Sequence, residues 1–153
     1  MILESSAFEN GERLSVVYTC EGESLSPPLS WSGVPENTEA LVLIVDDPDA
    51  PNGTFIHWVV YNLPPTPPRL DENVSLSNRF SEGLREGVNS LGKQGYGAPC
   101  PPRGAGEHRY FFRLYALSQK LNLKGRVTRD QLMDAMEGQT LDEAVLMARF
   151  SRA

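Results

Sequence analysis

Leu41-Val42-Leu43-Ile44-Val45-Asp46-Asp47-Pro48-Asp49-Ala50-Pro51 opens with five residues that are apolar at both parities and closes on two prolines. A run with no polar face suits a central strand buried on both sides. Each proline fixes its own φ and restrains the residue before it, so the chain turns abruptly and Asp47 is held near the strand end. A second run of the same kind, Ile56-His57-Trp58-Val59-Val60-Tyr61, follows. Two adjacent, doubly buried strands imply a β domain with something packed on each face.

Working outward, Ser15-Val16-Val17-Tyr18-Thr19 and Leu29-Ser30-Trp31 read as short strands separated by turn-rich residues from Glu21 to Pro28. Pro64, Pro65, Pro67 and Pro68 stop regular pairing, and the glycine-rich stretch from Gly83 to Gly97 reads as irregular. Arg109 to Leu117 returns to strand character. In the last quarter, Leu132, Ala135 and Met136, then Leu141, Ala144, Val145 and Ala148, recur at helical spacing, which predicts two terminal helices. Thr128 with Gln131 and Thr140 with Glu143 match capping boxes, and Gly138 sits where a helix C-terminus favours glycine.

The 153 residues suit one domain, 1–153, with no repeat or linker. A net charge of −6 gives no broad basic surface, which argues against a general nucleic-acid or anionic-membrane binder; any anion site must be local. The start of the chain lacks a basic segment followed by an apolar one, and no apolar run is long enough for a membrane helix, so the expectation is a cytoplasmic protein without stable membrane insertion. Cys20 and Cys100 have no metal-site spacing and are expected as reduced thiols.

Both histidines lie in strands, His57 inside an apolar one and His108 at the start of another. Alternation places His108, Tyr110, Phe112 and Leu114 on one face and Arg109 and Arg113 on the other. A carboxylate, two imidazoles and a phenol make a plausible grip for a phosphate or carboxylate, although aspartates beside proline often only form turns and strand histidines often only fill cores. Gly95-Tyr96-Gly97-Ala98-Pro99-Cys100-Pro101-Pro102 adds a stiff loop whose main-chain N–H groups are candidates for an anion.

Taken in order, Ser26-Pro27-Pro28-Leu29-Ser30-Trp31, Asp47-Pro48-Asp49-Ala50-Pro51, His57-Trp58, Pro99-Cys100-Pro101-Pro102 and His108-Arg109-Tyr110 resemble the phosphatidylethanolamine-binding family, which includes the Raf kinase inhibitor proteins. The short connection Asn52 to Ile56 resembles the bacterial and archaeal branch, in which glycine often stands at the position of Ala98. The resemblance implies a mostly β fold, with a large central antiparallel-rich sheet, a second small sheet and C-terminal helices. It also implies a small surface cavity for phosphate-like anions lined by Asp47, His57, His108 and Tyr110, with Pro51, Cys100 and Pro101 on the rim.

The leading functional expectation is a regulatory module that binds a small phosphate- or carboxylate-bearing ligand, without enzymatic activity, cofactor or metal. The histidines, neutral or protonated, are expected to donate to it. The alternative is a protein–protein inhibitor of a kinase or protease acting through its loops, and behind it a metal-dependent hydrolase built on the carboxylate and two histidines. A homodimer is compatible with all three.

Overall fold

The computed structural model describes residues 1–75 and 85–153. Five strands form the large sheet: β3 (Ala40–Asp47), β4 (Phe55–Leu63), β6 (Arg85–Glu86), β7 (His108–Leu117) and β8 (Thr140–Phe150), in the order β6-β4-β3-β7-β8. The small sheet has the order β1-β2-β5, from β1 (Ile2–Glu4), β2 (Leu29–Ser32) and β5 (Arg69–Leu70). Every pairing in both sheets is antiparallel.

The doubly apolar strands are central because both faces of the large sheet are covered. On one face Leu41, Leu43, Val45, Trp58, Val60, Phe112 and Leu114 pack against Leu3, Trp31 and Leu70 of the small sheet. On the other, Val42, Ile44, Val59 and Tyr61 meet Leu132 and Met136 of the helix α1 (Arg129–Met136). The helix starts at a complete Thr128/Gln131 capping box, and Gly138, at φ 77°, stands just beyond its end.

Four expectations change. The predicted second helix is strand β8. Its buried residues are Ala144, Leu146, Ala148 and Phe150, a period of two, and it pairs with β7 from His108↔Phe150 to Leu117↔Thr140. Its Ala, Leu, Met and Glu content favours a helix intrinsically, but the open edge of β7 supplies a full ladder that overrides a preference of tenths of a kcal/mol per residue. The Thr140/Glu143 pattern therefore caps nothing; the Glu143 N–H donates to Asp142 Oδ1 instead (2.8 Å).

Ser15 to Thr19 is also not a strand. Val16–Tyr18 form a 3-10 turn in which Ser15 Oγ accepts from the Val17 N–H. The proline cluster does not end pairing altogether, because Arg69 and Leu70 join the small sheet as β5, and the Pro68 carbonyl accepts from the Trp31 N–H. Of the Gly83–Gly97 stretch, Gly83 and Leu84 lie outside the described residues; Arg85–Glu86 pair as β6 and Val88 bridges Gln94, while the rest runs through turns and bends, irregular as expected.

Finally, Cys20 and Cys100 form a disulfide. The Cys20 N–H donates to the Pro99 carbonyl (3.1 Å), which brings the two segments together with their Cα atoms 5.4 Å apart, a separation suited to a bridge. Among the described residues no helix is long and apolar enough to cross a membrane.

Candidate functional site

The order β4-β3-β7 decides where the polar residues meet. Because β3 runs antiparallel to both neighbours, its end lies beside the starts of β4 and β7. Asp47 closes β3, Phe55 and His57 open β4, and His108 and Tyr110 open β7. A register shift sets Val45 opposite Trp58 but Asp46 opposite Ile56, leaving His57 as the extra residue of a bulge. Bulges of this kind re-aim a side chain. Trp58 can then face the core while its neighbour faces the strand ends.

Each imidazole is pinned from behind. His108 Nδ1 lies 2.7 Å from Asp47 Oδ2, and His57 Nδ1 lies 2.7 Å from the Gly97 carbonyl. An ionised carboxylate and a carbonyl only accept, so both Nδ1 atoms carry the proton and donate. Both Nε2 atoms are left without a hydrogen bond among the described residues, and so is the Tyr110 hydroxyl. The Tyr110 ring stands edge-on to His57 at 5.2 Å, and the Phe55 ring lies tilted against His57 at 4.8 Å.

Burial pushes the His57 pKa below its ordinary value, against the Gly97 hydrogen bond and the charges of Asp47 and Asp46, which pull it up. Burial, reinforced by Asp47 and Asp49, pushes the Tyr110 hydroxyl up, so it remains an O–H donor across the ordinary pH range. Neutral His57 has no proton to offer from Nε2. The expectation that neutral histidines donate to the ligand is thereby corrected: with Nδ1 committed, donation from Nε2 requires the imidazolium.

The two aspartates of the turn separate in role. Asp47 both orients His108 and stabilises the turn, its Oδ1 accepting from the Asp49 N–H (2.8 Å). Asp49 faces outward, where Arg109 grips it through its main-chain N–H, Nε and Nη2, each at 2.9 Å. Those hydrogen bonds lower its pKa to about 2.

All seven residues expected at the site, Asp47, Pro51, His57, Cys100, Pro101, His108 and Tyr110, line one cavity of about 520 Å3. Ala98 lines it too. Three of the loop's main-chain donors are used otherwise than expected: the Gly95 N–H goes to the Gly87 carbonyl, the Tyr96 N–H to Ser75 Oγ and the Gly97 N–H to the His57 carbonyl. Gly97 therefore clasps His57 twice.

Three contributors escaped the sequence reading. Phe55 and Leu91 line the cavity. Arg152 donates from Nε to the Pro101 carbonyl (2.7 Å) and brings a permanent positive charge close enough to influence Tyr110. Nothing around Arg152 in the sequence marks it, because the contact joins residues 51 positions apart.

A family model described as phosphatidylethanolamine-binding protein matches residues 4–151. This chain belongs to the phosphatidylethanolamine-binding protein family. Among its relatives, a UPF0098 protein of Methanothermobacter thermautotrophicus is 47% identical, with 99% of each chain covered. A UPF0098 protein of Aquifex aeolicus is 46% identical, covering 97% of this chain and 86% of the relative.

Solved structures of the family agree in fold. The phosphatidylethanolamine-binding protein homologue CT736 of Chlamydia trachomatis superimposes with a TM-score of 0.90 at 40% identity, covering 99% of this chain and 97% of the other. YbcL of E. coli reaches 0.91 at 29% identity, covering 99% and 98%. Carboxypeptidase Y inhibitor, solved in complex with its cognate proteinase, scores 0.60 at 19% identity with 99% and 83% covered, a likeness of fold alone.

Proposed function

We propose that this member of the family is a binding module for a small phosphate- or carboxylate-bearing ligand, held without covalent chemistry at the ends of β3, β4 and β7. One observation carries the reading. His57 Nε2, His108 Nε2 and the Tyr110 hydroxyl line one cavity, each on a buried ring, and none is engaged by another described residue. Two ring nitrogens and a hydroxyl that open onto one cavity, and that no described side chain engages, form a convergent polar set of the kind that orients a small ligand.

An anion meets these groups in one of two ways: the imidazoles take up protons and donate, or the ligand arrives carrying its own proton and donates to Nε2. Tyr110 donates in both cases, and Arg152 adds a positive potential. A metal-dependent hydrolase is less well supported, since Asp47 and His108 spend their facing atoms on each other. Among the described residues no three acidic, histidine or cysteine side chains are grouped to hold a metal ion. The likeness to carboxypeptidase Y inhibitor, at 19% identity, supports a shared fold and not a shared protease.

The test is an NMR titration with inorganic phosphate and with phosphoethanolamine, following both imidazoles and the Tyr110 ring. Saturable shifts of all three are expected. Silence at both imidazoles during titration would refute the reading.

A further inference from the structure

Ala98, Cys100, Pro101 and Pro102 form one wall of the cavity. Within residues 98–102 the prolines at 99, 101 and 102 have no N–H to give, and neither the Ala98 nor the Cys100 N–H has an acceptor among the described residues. The main chain of the wall is therefore held through its carbonyls alone. Pro101 accepts from Arg152 Nε (2.7 Å), Pro102 from the Ala105 N–H (3.2 Å) and Pro99 from the Cys20 N–H (3.1 Å). The last donor belongs to the residue whose sulfur is bonded to Cys100, so hydrogen bond and disulfide make one fastening between the wall and the turn at Cys20.

The flanks of that fastening are anchored without it. Gly97, next to the wall, exchanges two hydrogen bonds with His57, and the Tyr96 hydroxyl donates to the Tyr18 carbonyl (2.6 Å). Tyr18 is buried, and its own hydroxyl donates to Glu72 (2.6 Å). These ties remain when the sulfurs part, so opening the bridge frees the wall and leaves the core in place.

The bridge is also open to solvent. Cys20 and Cys100 are both exposed, Cys20 leads into the exposed run 21–24, and Cys100 lines the cavity. A disulfide sealed in a core is closed to exchange, whereas one that a thiolate can approach is labile.

From this arrangement, and resting on the anion reading of the cavity, we infer that the Cys20–Cys100 bridge is a thiol-exchange site: a dithiol opens it in the folded protein, and opening loosens the wall and weakens the anion site. One thiolate of the reductant attacks either sulfur, breaking the S–S bond and forming a mixed disulfide, and the second thiol of the reductant displaces that sulfur. Two electrons and two protons pass to the protein, which is left with two thiols, while the dithiol becomes a disulfide. With the bridge closed, the wall is fixed before the anion arrives. With it open, the anion must order the wall as it binds, which costs affinity.

The folded protein is incubated with dithiothreitol, its thiols are trapped with iodoacetamide and counted by mass, and phosphate is titrated before and after reduction while NMR follows the Ala98 amide and the His57 ring. Both cysteines should be trapped with the signals of α1 and β8 unmoved, those of Ala98 and His57 shifted, and phosphate bound about tenfold more weakly. Cys20→Ser, a change outside the cavity, should bind phosphate as the reduced wild-type chain does and show no response to dithiothreitol. Thiols that appear only in urea sufficient to unfold the chain overturn the inference. So does a bridge that opens with phosphate affinity and the Ala98 and His57 signals unchanged. If the oxidised protein binds no phosphate, the anion reading fails by itself; the exchange site is then upheld by trapped thiols with shifted Ala98 and His57 signals and overturned by their absence.

Discussion

The commitment of both Nδ1 protons makes proton uptake the sharpest consequence of the site. The perturbation is pH, and the probe is sulfate, which keeps its charge across the working range and so cannot lend a proton of its own. His57 Nδ1 donates to the Gly97 carbonyl at 2.7 Å, and burial holds the His57 pKa below 6.5, so at pH 7 to 8 its Nε2 has only a lone pair. Sulfate must therefore bring a proton onto that ring. One proton taken up corresponds to about tenfold in affinity per pH unit.

Binding should tighten as pH falls from 8 to 7 by about tenfold. Calorimetry in two buffers of different ionisation enthalpy counts the protons directly, with an expected uptake of about one. Tyr110→Phe should weaken binding without changing that count, because the hydroxyl, its pKa raised by burial, never loses its proton in this range. Linkage gives the apo protein the opposite trend. A depressed imidazole pKa contributes stability that is complete above 6.5 and is lost as pH falls from there through the folded value. Flat sulfate affinity from pH 8 to 6, or binding with no proton uptake, would refute the argument that Nε2 donates to the anion.

Three further outcomes follow from the packing. Replacing Cys20 and Cys100 together by serine removes a bridge across a sequence separation of 80, which the chain-entropy relation values at about 4.5 kcal/mol; urea unfolding showing a loss under about 1 kcal/mol would mean the segments are held as well without it. Gly87→Ala should destabilise by about 1–3 kcal/mol, because its Cβ would lie 2.5 Å from the Val127 carbonyl oxygen and 3.0 Å from Val59 Cγ1; an unchanged thermal midpoint would show that the backbone there yields freely. Asp47→Asn should split His108 between tautomers, since an amide both donates and accepts where the carboxylate only accepts, and long-range proton–nitrogen spectra showing Nδ1–H alone would count against Asp47 as the group that fixes the ring.

The polar floor was legible in the chain because its signals are local. Prolines 48 and 51 stop β3 beside Asp47, and histidines at positions 57 and 108 stand out in apolar strands. Strand alternation alone pairs His108 with Tyr110, and the fully apolar β3 demands cover on both faces. The misread segments share a different cause. Thr140–Phe150 carries a helix-favouring composition whose alanines fit a period of four and a period of two equally, so its state waited on what lay beside it. The thiols were expected to be reduced from the absence of a secretion pattern, yet their pairing depends on how closely Pro99 approaches Cys20.

A mostly β fold, its two central strands and the residues that line the cavity follow from the chain alone, because strand burial and proline turns depend on neighbours within a few positions. The state of those residues is set by the fold. The bulge that turns out His57, the Gly97 carbonyl and Asp47 carboxylate that take both Nδ1 protons, and the arginine at Pro101 are set by contacts between residues as much as 61 positions apart. Donor and acceptor roles depend on which atoms face each other across the fold, and no local pattern carries that information.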